Sequence, residues 1–164
     1  LARASVHGPL DILYPMVIDR EQFLTLRSAF EGFTADVTAG QLRHGVMFEV
    51  PSVCMQAREV FEVAEFGSIG TNDLVQFLFA IDRTLAVADK SISLDQPLLW
   101  SLLRDIADAA RQARRKVSIC GEAASDVRYL HRLMEVGIKS VSVNPHSIPQ
   151  IRLAAQGQTL STDR

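Results

Sequence analysis

The sequence predicts an α/β fold assembled from strand-then-helix units, and three observations predict it. Short apolar runs alternate with stretches of helical period, the runs are rich in β-branched residues, and small or acidic residues stand where a run ends and a helix begins. Runs of this kind read as strands buried on both faces, which implies a parallel sheet with right-handed crossovers. About five such units form either an open doubly wound sheet or a part of a β/α barrel, whose full circle needs eight strands.

The elements follow in order. Strands are expected at residues 12–17, 46–50, 66–69, 117–120 and 140–143. After the first, Asp19 and Gln22 form a capping-box pattern ahead of Phe23, Leu26, Phe30 and Phe33. Pro51 suits the first turn of a second helix carrying Val53, Ala57, Val60 and Phe61. Asn72 or Asp73 is expected to cap a third, through Leu74, Phe77, Leu78 and Ile81. Pro97 opens the longest helix, with Leu98, Leu102, Ile106 and Ala109 as its apolar face. Ser125 or Asp126, and Ser147, are expected to cap the last two.

Composition narrows the class of function. At 48% hydrophobic and 22% charged residues, 164 residues suffice for one globular domain with a core. A formal net charge of −2 supplies no basic field for nucleic acid, and no apolar run nears the roughly 20 residues of a membrane helix. Two cysteines in unlike contexts, Cys54 and Cys120, fit either a single disulfide or, more simply, a reducing cytoplasmic setting. The chain opens at Leu1 with no charged-then-apolar leader, and is expected to be a piece of a longer polypeptide.

Candidate chemistry gathers at the ends of the strands. Glu49 closes Val46-Met47-Phe48-Glu49 before Pro51; on its own it is as readily a solvated loop carboxylate. Gly70-Thr71-Asn72-Asp73 offers backbone N–H groups and a helix N-terminus to an anion, although an ordinary helix start looks the same. On neighbouring barrel strands Glu49 and Asp73 would share one rim and repel each other. A hard divalent cation such as Mg²⁺ would relieve that repulsion. Arg83, at the end of the third helix, either complements the helix dipole or binds phosphate oxygens with its planar fork. Cys120, before Gly121 and Glu122, is either an inert packed thiol or a proton donor at the rim. Cys54, near a helix start, is expected mainly to pack the core. His7, His44, His131 and His146 show no metal-ligand spacing.

Together, residues 45–51, 66–74, Ala80-Ile81-Asp82-Arg83 and Cys120-Gly121-Glu122 resemble the C-terminal phosphoenolpyruvate-binding domain of enzyme I of the bacterial phosphotransferase system. Arg3-Ala4-Ser5, Tyr14-Pro15-Met16-Val17, Ser142-Val143-Asn144 and Ser147-Ile148-Pro149 extend the resemblance over about residues 1–155, with residues 156–164 left as a tail. The resemblance implies the C-terminal part, about five βα units, of a TIM (β/α)8 barrel. It implies Glu49 and Asp73 as Mg²⁺ ligands, and Gly70, Thr71, Asn72 and Arg83 as contacts of the substrate and its phosphoryl group. Cys120 becomes the acid that protonates the enolate carbon. The family implies a cytoplasmic, homodimeric phosphotransferase of sugar transport that passes phosphate from phosphoenolpyruvate through a histidine to a phosphocarrier protein, releasing pyruvate. That histidine and further phosphate-binding arginines belong to segments not found in this sequence.

Two other classes compete. A Mg²⁺-dependent lyase or aldolase acting on pyruvate enolate would share the paired carboxylates but need neither Arg83 nor Cys120. A non-catalytic remnant that binds phosphoenolpyruvate or dimerises would need no complete site.

Overall fold

A computed structural model describes residues 1–81 and 94–157. After a 3₁₀ turn at Ala2–His7, four strands form one parallel sheet in sequence order: β1 (Leu10–Tyr14), β2 (Leu42–Phe48), β3 (Phe66–Gly70) and β4 (Lys116–Cys120). Strands that are parallel and neighbours in both sequence and space match consecutive staves of a barrel. The helices in order are α1 (Arg20–Phe33), α2 (Pro51–Met55), α3 (Ala57–Val63), α4 (Thr71–Phe79), α5 (Pro97–Gln112), α6 (Glu122–Ser125), α7 (Val127–Glu135) and α8 (Ile148–Ala155).

The pleat divides each strand between two environments. Val46 and Phe48 of β2, Ile69 of β3 and Ile119 of β4 lie fully buried in the core that the helices cover. Alternation with a period of two then puts Met47, Ser68, Gly70, Ser118 and Cys120 on the opposite, inner face. Glu49, one residue past β2, continues that inner series.

Several expectations shift. The first strand ends at Tyr14, because Pro15 has no N–H to give the ladder and Met16 takes a left-handed φ of 54°. The fifth strand shrinks to a single bridge between Ile119 and Val141. Asp19 does cap α1, accepting from Gln22 N–H at 2.7 Å, while Gln22 Oε1 accepts from Ile18 N–H at 2.8 Å. Of that helix's expected apolar face, Phe23 is buried but Phe33 is 89% exposed. One helix was expected after Pro51; a break at Gln56 gives two. On α5 the buried stripe is Leu99, Leu103, Ile106 and Ala110, and Leu98 points to solvent. Asp126 caps α7, whereas no side chain caps α8 at Ser147; Asn144 accepts from His146 N–H instead.

On the outer face β1 and β2 share a buried polar pair. Tyr14 Oη and His44 Nδ1 are 3.0 Å apart, with Phe30 edge-on to the imidazole and Phe23 edge-on to the phenol. Burial, and then the Arg27 charge, hold the His44 pKa below its ordinary value, so the ring is neutral near pH 7.

Candidate active site

The C-terminal ends of β2, β3 and β4 bring the predicted residues to one rim. Glu49 arrives first because Val50 is extended and Pro51 starts α2. It is only 6% exposed, and its Oε1 accepts from Met16 N–H at 2.7 Å. Met16 therefore enters the site through its backbone, which no side-chain pattern signals. The nearest cue was Pro15, which stops β1 one residue earlier.

At the end of β3, Gly70 is the N-cap of α4, and no side chain caps that helix. Asn72 and Asp73 were expected as the cap; they fall instead within its first turn. A Cβ on Gly70 would stand 2.8 Å from Glu49 Oε2, so the missing side chain is what lets the carboxylate lie across β3. Burial pushes the Glu49 pKa up and the Met16 N–H opposes this; the Asp73 charge then adds to the rise. Of the two expected ligands, Glu49 thus feels the charge of Asp73 across the rim. Among the described residues no three His, Cys, Asp or Glu side chains are grouped to hold a metal ion.

Cys120 closes β4 directly opposite Gly70 in the register. Its Sγ–H donates to Ile69 O at 3.4 Å. Burial raises the thiol pKa, a hydrogen bond from Ser68 lowers it, and the charges of Glu49 and Asp73 raise it again, so the sulfur stays protonated at neutral pH. Cys54 differs. It is 1% exposed with its pKa pushed up to about 12, chiefly by burial, which makes it a packing residue.

Two side chains bolt α4 to the turn after β4. Thr71 Oγ1 donates to Cys120 O at 2.8 Å, and Asn72 Oδ1 accepts from Glu122 N–H at 2.9 Å. Gly121, at φ 90°, permits this approach, since a Cβ there would lie 2.4 Å from Thr71 Oγ1 and 2.6 Å from Asn72 Oδ1. The Thr71 hydroxyl is therefore structural, a role the sequence did not suggest. Arg83 lies outside the described residues.

A parallel β/α sheet with acidic and thiol groups at the C-terminal ends of consecutive strands defines the fold class: part of a β/α barrel, with these groups at the end where such barrels carry their sites. Residues 1–160 match the family described as PEP-utilising enzyme, PEP-binding domain, and the chain belongs to that family. It is 35% identical over 163 residues to a multiphosphoryl transfer protein of Xanthomonas campestris pv. campestris, covering 98% of this chain and 19% of that protein. It is 34% identical to a phosphoenolpyruvate-protein phosphotransferase of Streptomyces coelicolor, covering 98% of this chain and 28% of the relative. The chain thus spans under a third of the curated relatives it matches. Among solved structures, a citrate lyase from Burkholderia xenovorans LB400 superposes with a TM-score of 0.71 at 17% identity, over 90% of this chain and 49% of the other. A malate synthase from Haloferax volcanii gives 0.64 at 14%, over 93% and 46%. Identities this low show the fold alone.

Proposed function

We propose that this chain binds phosphoenolpyruvate with Mg²⁺ at the rim, as the substrate domain of a phosphoenolpyruvate-protein phosphotransferase. One observation carries the reading: a buried carboxylate, Glu49, is held against the charge of Asp73, next to a cysteine whose surroundings keep its proton on. Two oxygen-donor carboxylates on one rim, with the charge of Asp73 adding to the rise in the Glu49 pKa, fit a hard divalent cation, and Mg²⁺ characteristically takes one or two carboxylates plus waters and substrate oxygens. Glu49 and Asp73 would hold it. Bound there, the metal would offset negative charge as the phosphoryl group leaves.

The remaining steps fall to side chains and backbone. Asn72 has committed its Oδ1 to Glu122 N–H, so its amide NH₂ is the part left to donate to phosphoryl oxygens. Gly70 and Thr71 begin α4 with no capping side chain, and the helix N-terminus favours an anion there. Arg83 would add a planar fork for the same oxygens. Cleavage of the P–O bond leaves enolpyruvate, and Cys120 delivers its proton to the terminal carbon, completing pyruvate.

In this reading residues 1–155 form the substrate domain, and the phosphoryl acceptor is a histidine on another segment. The whole enzyme would be a cytoplasmic homodimer serving sugar uptake through a phosphocarrier protein. Arg83 and Cys120 are what disfavour an aldolase.

Calorimetric titration of this chain with phosphoenolpyruvate, with and without Mg²⁺, tests the proposal. Binding should require the metal and vanish in Asp73→Asn and Glu49→Gln. Metal-independent binding, or binding indifferent to Asp73→Asn, would overturn it.

A further inference from the structure

Below Cys120, on the same inner face, stand two serines that the proposed chemistry does not use. Ser68 and Ser118 are direct partners in the β3–β4 register, two residues before Gly70 and Cys120, which are partners in turn. A spacing of two keeps a side chain on its face of the sheet, so the serine pair forms the layer beneath the Gly70–Cys120 layer. Ser68 is 6% exposed. The Ser118 hydroxyl donates to Ser68 Oγ at 3.1 Å and the Cys120 Sγ–H donates to Ile69 O at 3.4 Å, while the Ser68 side chain beside the sulfur holds the thiol pKa down against its burial. With its lone pairs engaged by Ser118, Ser68 has its own proton free for the sulfur. Four groups from two strands therefore gather at the thiol, with the two hydroxyls on the layer beneath it.

We propose that Ser68 and Ser118 are positioning residues, a column of two hydroxyls that fixes the Cys120 thiol from beneath for proton delivery to an enolate carbon. The proposal rests on the phosphoenolpyruvate reading for its substrate but on the sheet register for its geometry. In the step itself the S–H bond breaks while the enolate electron pair forms the new C–H bond. Sulfur keeps the S–H electrons and later regains a proton from water. A thiol on a short strand end can rotate about χ1. Anchored by Ser68, its sulfur stays over the inner face, where a substrate held at the rim would lie. Ser118 acts through Ser68, because a hydroxyl that already accepts a hydrogen bond donates a stronger one.

The test uses two readouts. The first needs no ligand or metal: the Raman S–H stretching band of Cys120, assigned by its loss in Cys120→Ala. Ser68→Ala should shift that band to higher frequency, Ser118→Ala should shift it less in the same direction, and Ser68→Thr should restore it. The second is exchange of pyruvate methyl protons with D₂O under Mg²⁺, in the full natural polypeptide. Here kcat should fall roughly tenfold in Ser68→Ala and less in Ser118→Ala, with KM unchanged, as expected for loss of one orienting hydrogen bond. An unmoved band in both alanine variants, or an unchanged kcat, overturns the column. A shifted band with no exchange even in the unsubstituted protein supports the column and overturns the phosphoenolpyruvate reading instead. Should Ser68→Ala fail to fold, Ser118→Ala at its half-buried position still decides between these outcomes.

Discussion

Glu49 and His44 stand five residues apart around one strand, and both are buried, at 6% and 4% exposure. Their surroundings treat them in opposite ways. His44 gives its backbone N–H to Glu65 Oε2 at 2.7 Å, shares a hydrogen bond with Tyr14 and lies between aromatic rings, and it is neutral. Glu49 receives one N–H from Met16 and otherwise faces more negative charge. A buried polar group that the fold has satisfied is a structural element. One left in unfavourable company is a candidate place for a ligand to supply what the protein withholds.

The strongest way to break the contrast is to disturb the rim without touching its charges. Gly121→Ala would force a Cβ into Thr71 and Asn72 and place a side chain at φ 90°, so a loss of about 3 kcal/mol in urea unfolding is expected. A somewhat smaller effect sharpens the contrast from the ligand side. Mg²⁺ at a hundredfold excess over its dissociation constant should stabilise the chain by about 2.7 kcal/mol, and Glu49→Gln should abolish that gain in a thermal melt.

The smallest effect belongs to the satisfied pair. The folded-state pKa of His44 lies below the ordinary 6.5, so the unfolded chain takes up this proton first as pH falls. Its contribution to stability is therefore fully present above about pH 6.5 and is lost as pH drops below it towards the folded value. Replacing Tyr14 by Phe removes the hydroxyl partner and should cost about 1 kcal/mol at pH 7.5, measured by urea unfolding. A loss of several kcal/mol, or no His44-dependent slope between pH 5 and 7, would show that this pair is not the simple structural contact described.

Much of the fold was legible because local chemistry and tertiary role agreed. Asp19 and Gln22 cap α1 from within four residues, and Pro51 and Pro97 open helices because a first-turn residue needs no N–H partner. Elsewhere, several local signals competed. Leu98 and Leu99 begin two overlapping stripes on α5, and the period fits both; packing chose the one through Leu99. The run at residues 140–143 has strand character but meets β4 at a single bridge, because strand propensity does not supply a partner.

The candidate site divides along the same line. The order of Glu49, Gly70-Thr71-Asn72-Asp73 and Cys120 along the chain was enough to place them at one rim, since every parallel strand of a βα series ends on the same side. Only the tertiary structure decided what each rim atom touches. The register of β3 on β4 set Gly70 against Cys120 and Ser68 against Ser118, the left-handed turn at Met16 aimed an N–H at Glu49, and Gly121 let Thr71 and Asn72 reach across. Chain order fixes which end of a strand a residue occupies, whereas contacts between strands depend on registers and turns that no short stretch of sequence contains.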